Sequence, residues 1–278
     1  MIRPNRAIRR YLAVIIVSLT VVACSRVELA YENADWVGAW QVSDYLDLTS
    51  EQRSRLRDGL AVYQQYHRQN RLPDINAYLD RVDTVLATPE PEKADVDALF
   101  IDGEQLVRTN VTDVIPLAAE LLRELDGDQI EALRTTLAEG RDAYIERLLV
   151  DQEQRAIERT ENWVGRLNTR QRTELTQCVA AMPDVSEEWQ TWRRQTEADL
   201  INLLRNDAPQ AEVEAFLQGW LLEDAARPPV LQDYRQTSRA LWRRCTHRLL
   251  TTLTPAQRAQ ARERLAGYRG DLETVASR

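Results

Sequence analysis

The sequence predicts an all-α protein, an elongated bundle of about nine to eleven helices. Three observations lead there. Glycine and proline are scarce, at 9 and 10 of 278 residues. Strict alternation of apolar and polar residues, the mark of a half-buried strand, is nearly absent. Apolar residues recur instead at intervals of three and four. The faces between them are filled with Glu, Asp, Arg and Gln, which favour helices and pair across one turn.

In chain order, the first element is "MIRPNRAIRRYLAVIIVSLTVVACSR". Arg3, Arg6, Arg9 and Arg10 precede an apolar run from Tyr11 to Ala23 that no acid interrupts. This is the layout of a secretory signal, and the run is too short to span a bilayer. Its end, Val21 to Cys24, resembles the bacterial lipobox, in which a cysteine after a small residue is acylated and becomes the new N-terminus. The resemblance implies removal of residues 1–23, lipidation (palmitate among the acyl groups) at Cys24, and a membrane partner through that anchor. Ser25 is not the aspartate that retains such lipoproteins at the inner membrane. The expected location is therefore the periplasmic face of the outer membrane, with an inner-membrane lipoprotein as the alternative.

"YENADWVGAW" continues as a helix directly after the anchor. Trp36 and Trp40, four apart, read as a core-facing turn; the alternative is a place at the membrane interface, where tryptophan is favoured. Four related phrases then punctuate the chain: "LTSEQRSRLRDGL" from Leu48, "LDGDQIEALRTTL" from Leu125, "LNTRQRTELTQCV" from Leu167 and "LTPAQRAQARERL" from Leu253. Each reads as a helix start with a capping box, in which an N-cap side chain and a glutamine three residues later exchange hydrogen bonds with each other's backbone. The pairs are Thr49 with Gln52, Asp126 with Gln129, Asn168 with Gln171, and Thr254 with Gln257. Pro255 occupies the first helical position, where a missing N–H costs nothing. Four and eight residues after each glutamine come Leu56 and Leu60, Leu133 and Leu137, Leu175 and Val179, Ala261 and Leu265. Capping alone does not require this shared register, so it points to repeated helical units and to two pseudo-equivalent halves. The spacing between glutamines is unequal, which gives no support to a solenoid.

Helix breaks are signalled at "TPEPEK" (88–93), "AMPDVS" (181–186), "NDAPQ" (206–210) and "ARPPV" (226–230). None is long enough to separate modules, so residues 24–278 are expected to form a single helical domain. The remaining stripes are Val213, Phe216, Leu217, Trp220 and Leu221, and then Leu231, Tyr234, Leu241 and Cys245.

Composition narrows the function. Loss of the four leader arginines would take the formal charge from −8 to −12. Binding to nucleic acid needs clustered positive charge, so no nucleic-acid partner is expected. With Cys24 acylated, Cys178 and Cys245 remain as a pair on apolar helical faces, in a compartment that permits disulfides. A bridge between them is expected, the alternative being two packed thiols. Catalytic material is thin. Neither His67 nor His247 has a zinc-site neighbour, and His67 reads as a helix-end residue that caps or packs. No nucleophile elbow, P-loop or dinucleotide fingerprint is present. Glu187–Glu188 and Glu223–Asp224 read as solvated faces. "WRRQ" (192–195) and "RALWRRCTHR" (239–248) read as tryptophans buried at helix contacts with arginines on the outer face; the alternative is a recognition patch. No catalytic residue, cofactor or metal is assigned.

The four phrases resemble the LTxxQ motifs of Spy/CpxP-like periplasmic proteins, helical dimers that act as chaperones or stress regulators. That resemblance implies an intramolecular counterpart of such a dimer. Most of the chain also resembles a family of uncharacterised proteobacterial lipoproteins of unknown function, through Tyr31, Trp36, Trp40, Leu48, Gln52, His67, Arg68, Leu72 and Pro73. The expected function is a lipid-anchored periplasmic protein that binds other proteins in a chaperone-like or envelope-stress role. The alternatives are a structural or assembly lipoprotein with one fixed envelope partner, and a periplasmic glycan hydrolase.

Overall fold

A computed structural model describes residues 26–149 and 152–277, so the leader and the lipidation expected at Cys24 lie outside the described residues. Twelve α-helices, one 3-10 turn and no strand make up the described chain. Helices α1 (Arg26–Glu32), α2 (Ala34–Leu46), α3 (Ser50–Asn70) and α4 (Leu72–Ala87) lead into the 31-residue α5 (Lys93–Arg123). They are followed by α6 (Gly127–Leu149), α7 (Gln152–Val164), α8 (Thr169–Ala180) and α9 (Ser186–Arg205). The chain ends with α10 (Gln210–Leu222), the 3-10 turn (Asp224–Ala226), α11 (Pro229–Thr252) and α12 (Pro255–Ala276). The four proline-bearing breaks fall between helices. One further break separates α3 from α4, where Pro73 in the first turn of α4 has no N–H to carry the hydrogen-bond ladder on from α3. Pro116 lies inside α5 without ending it.

The four phrases begin α3, α6, α8 and α12, and both capping-box bonds are present in each. Their glutamines are buried and meet in two pairs. Gln52 donates to Gln129 Oε1 at 3.1 Å and Gln129 donates to Gln52 Oε1 at 2.8 Å. Gln171 and Gln257 exchange the same two bonds at 2.9 and 3.0 Å. The second amide hydrogen of each glutamine goes to a backbone carbonyl just before its partner's helix. Gln52 reaches Glu124 at 2.8 Å, Gln129 reaches Asp47 at 3.0 Å, Gln171 reaches Thr252 at 2.9 Å, and Gln257 reaches Arg166 at 2.9 Å. In all four cases that carbonyl stands five positions before the partner glutamine, so each pair has a local two-fold symmetry. Each Oε1 also accepts from its own N-cap N–H, which satisfies both donors and both acceptor sites of every carboxamide.

Each pair sits in its own apolar core. Leu48, Leu56, Leu125 and Leu133 pack with α2, α5, α9 and α10 around Gln52 and Gln129. Leu167, Leu175, Ala261 and Leu265 pack with α4, α7 and the end of α11 around Gln171 and Gln257. Helix α5 joins the two, since Val96 is buried in the second core and Ile115, Ala119 and Leu121 in the first. Arg258, next to Gln257, is also buried. Its guanidinium donates to the carbonyls of Leu86 at 3.0 Å, Pro89 and Leu250, filling acceptors at two helix ends. Gly165 closes α7 at φ +79, in the left-handed region, and a Cβ there would lie 2.4 Å from Gln260 Oε1.

The start of the chain is braced by side chains. Tyr31 Oη lies 2.9 Å from His67 Nδ1, and the His67 ring packs against both Tyr31 and Tyr63. Arg71, at the α3–α4 elbow, clamps both oxygens of Asp113 on α5 at 2.5 and 2.9 Å. His67 therefore packs within the fold. Trp36 and Trp40 do not form the expected core-facing turn, since they are 58% and 50% exposed. The side of α2 that is buried carries Ala39, Ser43 and Leu46, all small or aliphatic and able to fit closely against α3.

Two outcomes follow. Gln171→Leu leaves Gln257 with unmet buried polar groups, and is expected to lower stability by about 3 kcal/mol or more. In the Gln171→Leu/Gln257→Leu double variant the loss should fall short of the sum by about 1–3 kcal/mol, as read by urea unfolding. Burial lowers the His67 pKa from 6.5, so the unfolded chain binds the extra proton first. Stability is thus fully present above about pH 6.5 and falls as the pH drops below it. The thermal midpoint should decline from pH 7 to about pH 5 more steeply for the native protein than for His67→Gln.

Candidate functional site

A cleft of about 760 Å3 opens where helices of the two cores meet. The start of α7, the end of α8, the 181–185 loop, the start of α9, the end of α10 and the first half of α11 form its walls. Four tryptophans, Trp189, Trp192, Trp220 and Trp242, line it together with Tyr234, Leu221 and Met182. The sequence places Trp189 and Trp192 one turn apart on α9, so both face the cleft.

Three arginines share this surface. The Arg193 guanidinium lies 4.6 Å from the Trp220 ring centre and 5.8 Å from that of Trp189, while its Nε donates to Glu197 at 2.7 Å. Glu197 is buried and takes a second guanidinium, that of Arg141, at 2.6 Å. Arg227 lies 5.2 Å over Trp192 and donates to the carbonyls of Trp220 and Glu223. Burial pulls its pKa below the ordinary arginine value. Arg235 pairs with Asp224 at 2.7 Å. Such cation–π stacking holds the indoles and guanidiniums flat against each other.

Behind them, Asp224 is a hub for Arg227, Arg235 and Arg239, at 3.1, 2.7 and 2.7 Å. Burial would raise its carboxyl, but the hydrogen bond from Arg239 and the surrounding positive charge outweigh that and hold it below the usual range. Arg239 and Arg243 also lean on Glu104 of α5. Four guanidiniums thus share two carboxylates here, while Glu153 and Asp184 add negative charge to the cleft lining. Two expectations change here. The Glu223–Asp224 pair is not simply solvated, because the 3-10 turn folds Asp224 against α11. The arginines of "WRRQ" do not all point away from the tryptophans, since Arg193 lies on the indole faces.

Cys178 on α8 and Cys245 on α11 brace one wall. Their Cα atoms are 6.3 Å apart and their sulfurs lie at disulfide distance, with Met182 and Leu241 packed around them. Trp242 lines both the main cleft and a small cavity of about 80 Å3 beside the pair. The two lining carboxylates are tied to hydroxyls: Glu153 accepts from Thr176 at 2.7 Å and Asp184 from Ser186 at 2.6 Å. The Ser186 side chain and backbone together hold Asp184 below its ordinary pKa. His247 is engaged elsewhere, with Nε2 3.1 Å from the Pro91 carbonyl. Among the described residues no cluster of His, Cys, Asp and Glu could hold a metal ion, and no helix is long and apolar enough to cross a membrane.

The residues singled out from sequence thus divide in two. The glutamines come together as buried joints, while Thr49, Asp126, Asn168 and Thr254, which cap their helices, stay exposed. The cleft was legible only in Trp192, Arg193 and Trp242. Trp189, Trp220, Asp224 and Arg227 join it through helix packing, and the spacing of Trp189 and Trp192 was the one local signal for it.

Residues 44–235 match a family of unknown function, DUF6279. The chain belongs to that family. The matched region contains Gln52, Gln129, Gln171 and most of the cleft, and ends before Trp242, Cys245 and Gln257. No curated protein and no solved structure matches the chain.

A bridge between α8 and α11 would close a long loop and contribute about 4 kcal/mol. Reductant is expected to lower the thermal midpoint of the native protein and leave Cys178→Ser/Cys245→Ser unchanged. Equal mass after alkylation with and without reductant would reject the bridge.

Proposed function

We propose that this is a lipid-anchored protein of the outer membrane, facing the periplasm, that binds a segment of another protein in the tryptophan–arginine cleft. One observation carries the reading: four tryptophans and three arginines, the residue types that dominate interface energetics, converge on one concave surface. The chemistry suits a segment bearing apolar or aromatic anchors and carboxylates. Indole faces and Leu221 take the anchors, and the lining arginines, Arg235 first among them, take the charge. The charged leader and the "VVAC" ending support the anchor at Cys24.

The cleft favours one preferred partner over many clients. Promiscuous binders use flexible, methionine-rich surfaces, whereas these walls are fixed by stacked guanidiniums and a cysteine pair, with Met182 as the one methionine present. A chaperone-like or envelope-stress role remains the second reading, supported by the LTxxQ-type phrases. Glycan cleavage finds less support, because the two lining carboxylates, Glu153 and Asp184, are each tied to a hydroxyl of the cleft wall.

A photo-crosslinking residue in place of Leu221, which is 46% exposed at the rim, provides the test. In intact envelopes it should yield one discrete adduct, lost on adding Trp242→Ala and Arg235→Glu. A smear of many masses, together with suppression of aggregation of unrelated unfolding proteins, would shift the conclusion to the chaperone reading. No adduct from a folded protein would overturn both.

A further inference from the structure

Helices α1 and α2 run almost as one, since Asn33 N–H donates to Leu29 at 3.3 Å and Val37 N–H to Asn33 at 2.8 Å across the junction. One side of this helix is buried, through Glu28, Ala39, Ser43 and Leu46. A flank beside the buried face is apolar and open: Leu29 is 58% exposed, Trp36 58% and Trp40 50%, with Val37 further round the helix at 37%. At about 100° per residue, Leu29, Trp36 and Trp40 fall within one sector of about 40°. Side chains of this kind have a strong reason to leave water, and tryptophan is most at home at the boundary between lipid headgroups and acyl chains.

The occupant is indicated by where the stripe sits. Helix α1 begins two residues after Cys24, a reach of about 7 Å at full extension. If Cys24 carries acyl chains, α1 starts at the lipid surface. The charge pattern says which kind of surface. From Arg26 to Leu46 the basic residue is Arg26, set against Glu28, Glu32, Asp35 and Asp44. Electrostatic attraction to anionic lipid is therefore the wrong mechanism, and apolar insertion the right one. Two braces hold the helix in place: the Tyr31–His67 contact and the packing of α2 on α3 and α6.

We propose that Leu29, Trp36 and Trp40 form a docking stripe that inserts into the interface of a zwitterionic bilayer and sets the orientation of the body on the membrane. The proximity argument rests on Cys24 being the lipidated residue; the exposure of the stripe does not.

The test uses the full-length protein with phosphatidylcholine vesicles that carry a nitroxide at headgroup depth. The fluorescence difference between native protein and Trp36→Phe/Trp40→Phe isolates the two indoles. Mass spectrometry of the peptide bearing Cys24 reports acylation separately. Quenching of the difference signal by about twofold, unchanged by added salt or by phosphatidylglycerol, is the expected result. Quenching without acylation keeps the stripe and removes the lipoprotein reading. An acylated, vesicle-bound protein with unquenched Trp36 and Trp40 overturns the stripe and keeps the anchor. Quenching only with anionic lipid overturns apolar insertion. Self-crosslinking through the stripe without quenching overturns it in favour of a second copy, and neither binding nor quenching overturns both readings.

Discussion

Each half of the bundle depends on two glutamines that face each other in an apolar core. A buried carboxamide is tolerated only if both donors and both acceptor sites are met, and a face-to-face pair supplies half of them. The rest come from backbone groups at the two helix starts: the N-cap N–H of each helix and a carbonyl just before its partner. The arrangement therefore sets how closely the two helix starts approach, their register and their mutual orientation. Asparagine would be too short to reach across, and two glutamates would place like charges in contact. A motif that works only as a pair is expected an even number of times, and the chain has four copies.

The cleft is a consequence of joining two such units. Helices α7, α8 and α11 come from one core, and α9 and α10 from the other. Helix α5 runs through both and fixes their separation. The seam between two packed bodies is where concave sites commonly form. Here the seam is lined by stacked indoles and guanidiniums, which resist collapse. Asp224, Glu104 and Glu197 pair with these guanidiniums, and Glu153 and Asp184 add carboxylates to the lining. The paired glutamines are occupied by each other, which leaves the cleft as the candidate binding surface and the motif in the architecture.

Several features were legible because they are local. Helix content, the four helix starts and the proline-bearing breaks follow from backbone chemistry within a few residues. The pairing of the cysteines was legible because both stand on apolar helical faces, Cys178 with Leu175 and Cys245 with Leu241. Trp36 and Trp40 show where such reasoning stops. Their spacing fits a buried helix face, yet the buried face is the one with Ala39 and Ser43, which allow the closer approach to α3. The Asp224 hub was equally out of reach, because an acid beside another acid reads as solvated until a tertiary contact brings three arginines to it.

The sequence by itself determined an all-helical chain with four capped helix starts in a common apolar register. These depend on capping, periodicity and composition, which act over one or two helical turns. Only the tertiary structure decided which glutamine meets which, that the tryptophans of three helices share a cleft, and that two others face outward. Those outcomes depend on which helix faces fit together, and local chemistry does not specify that fit.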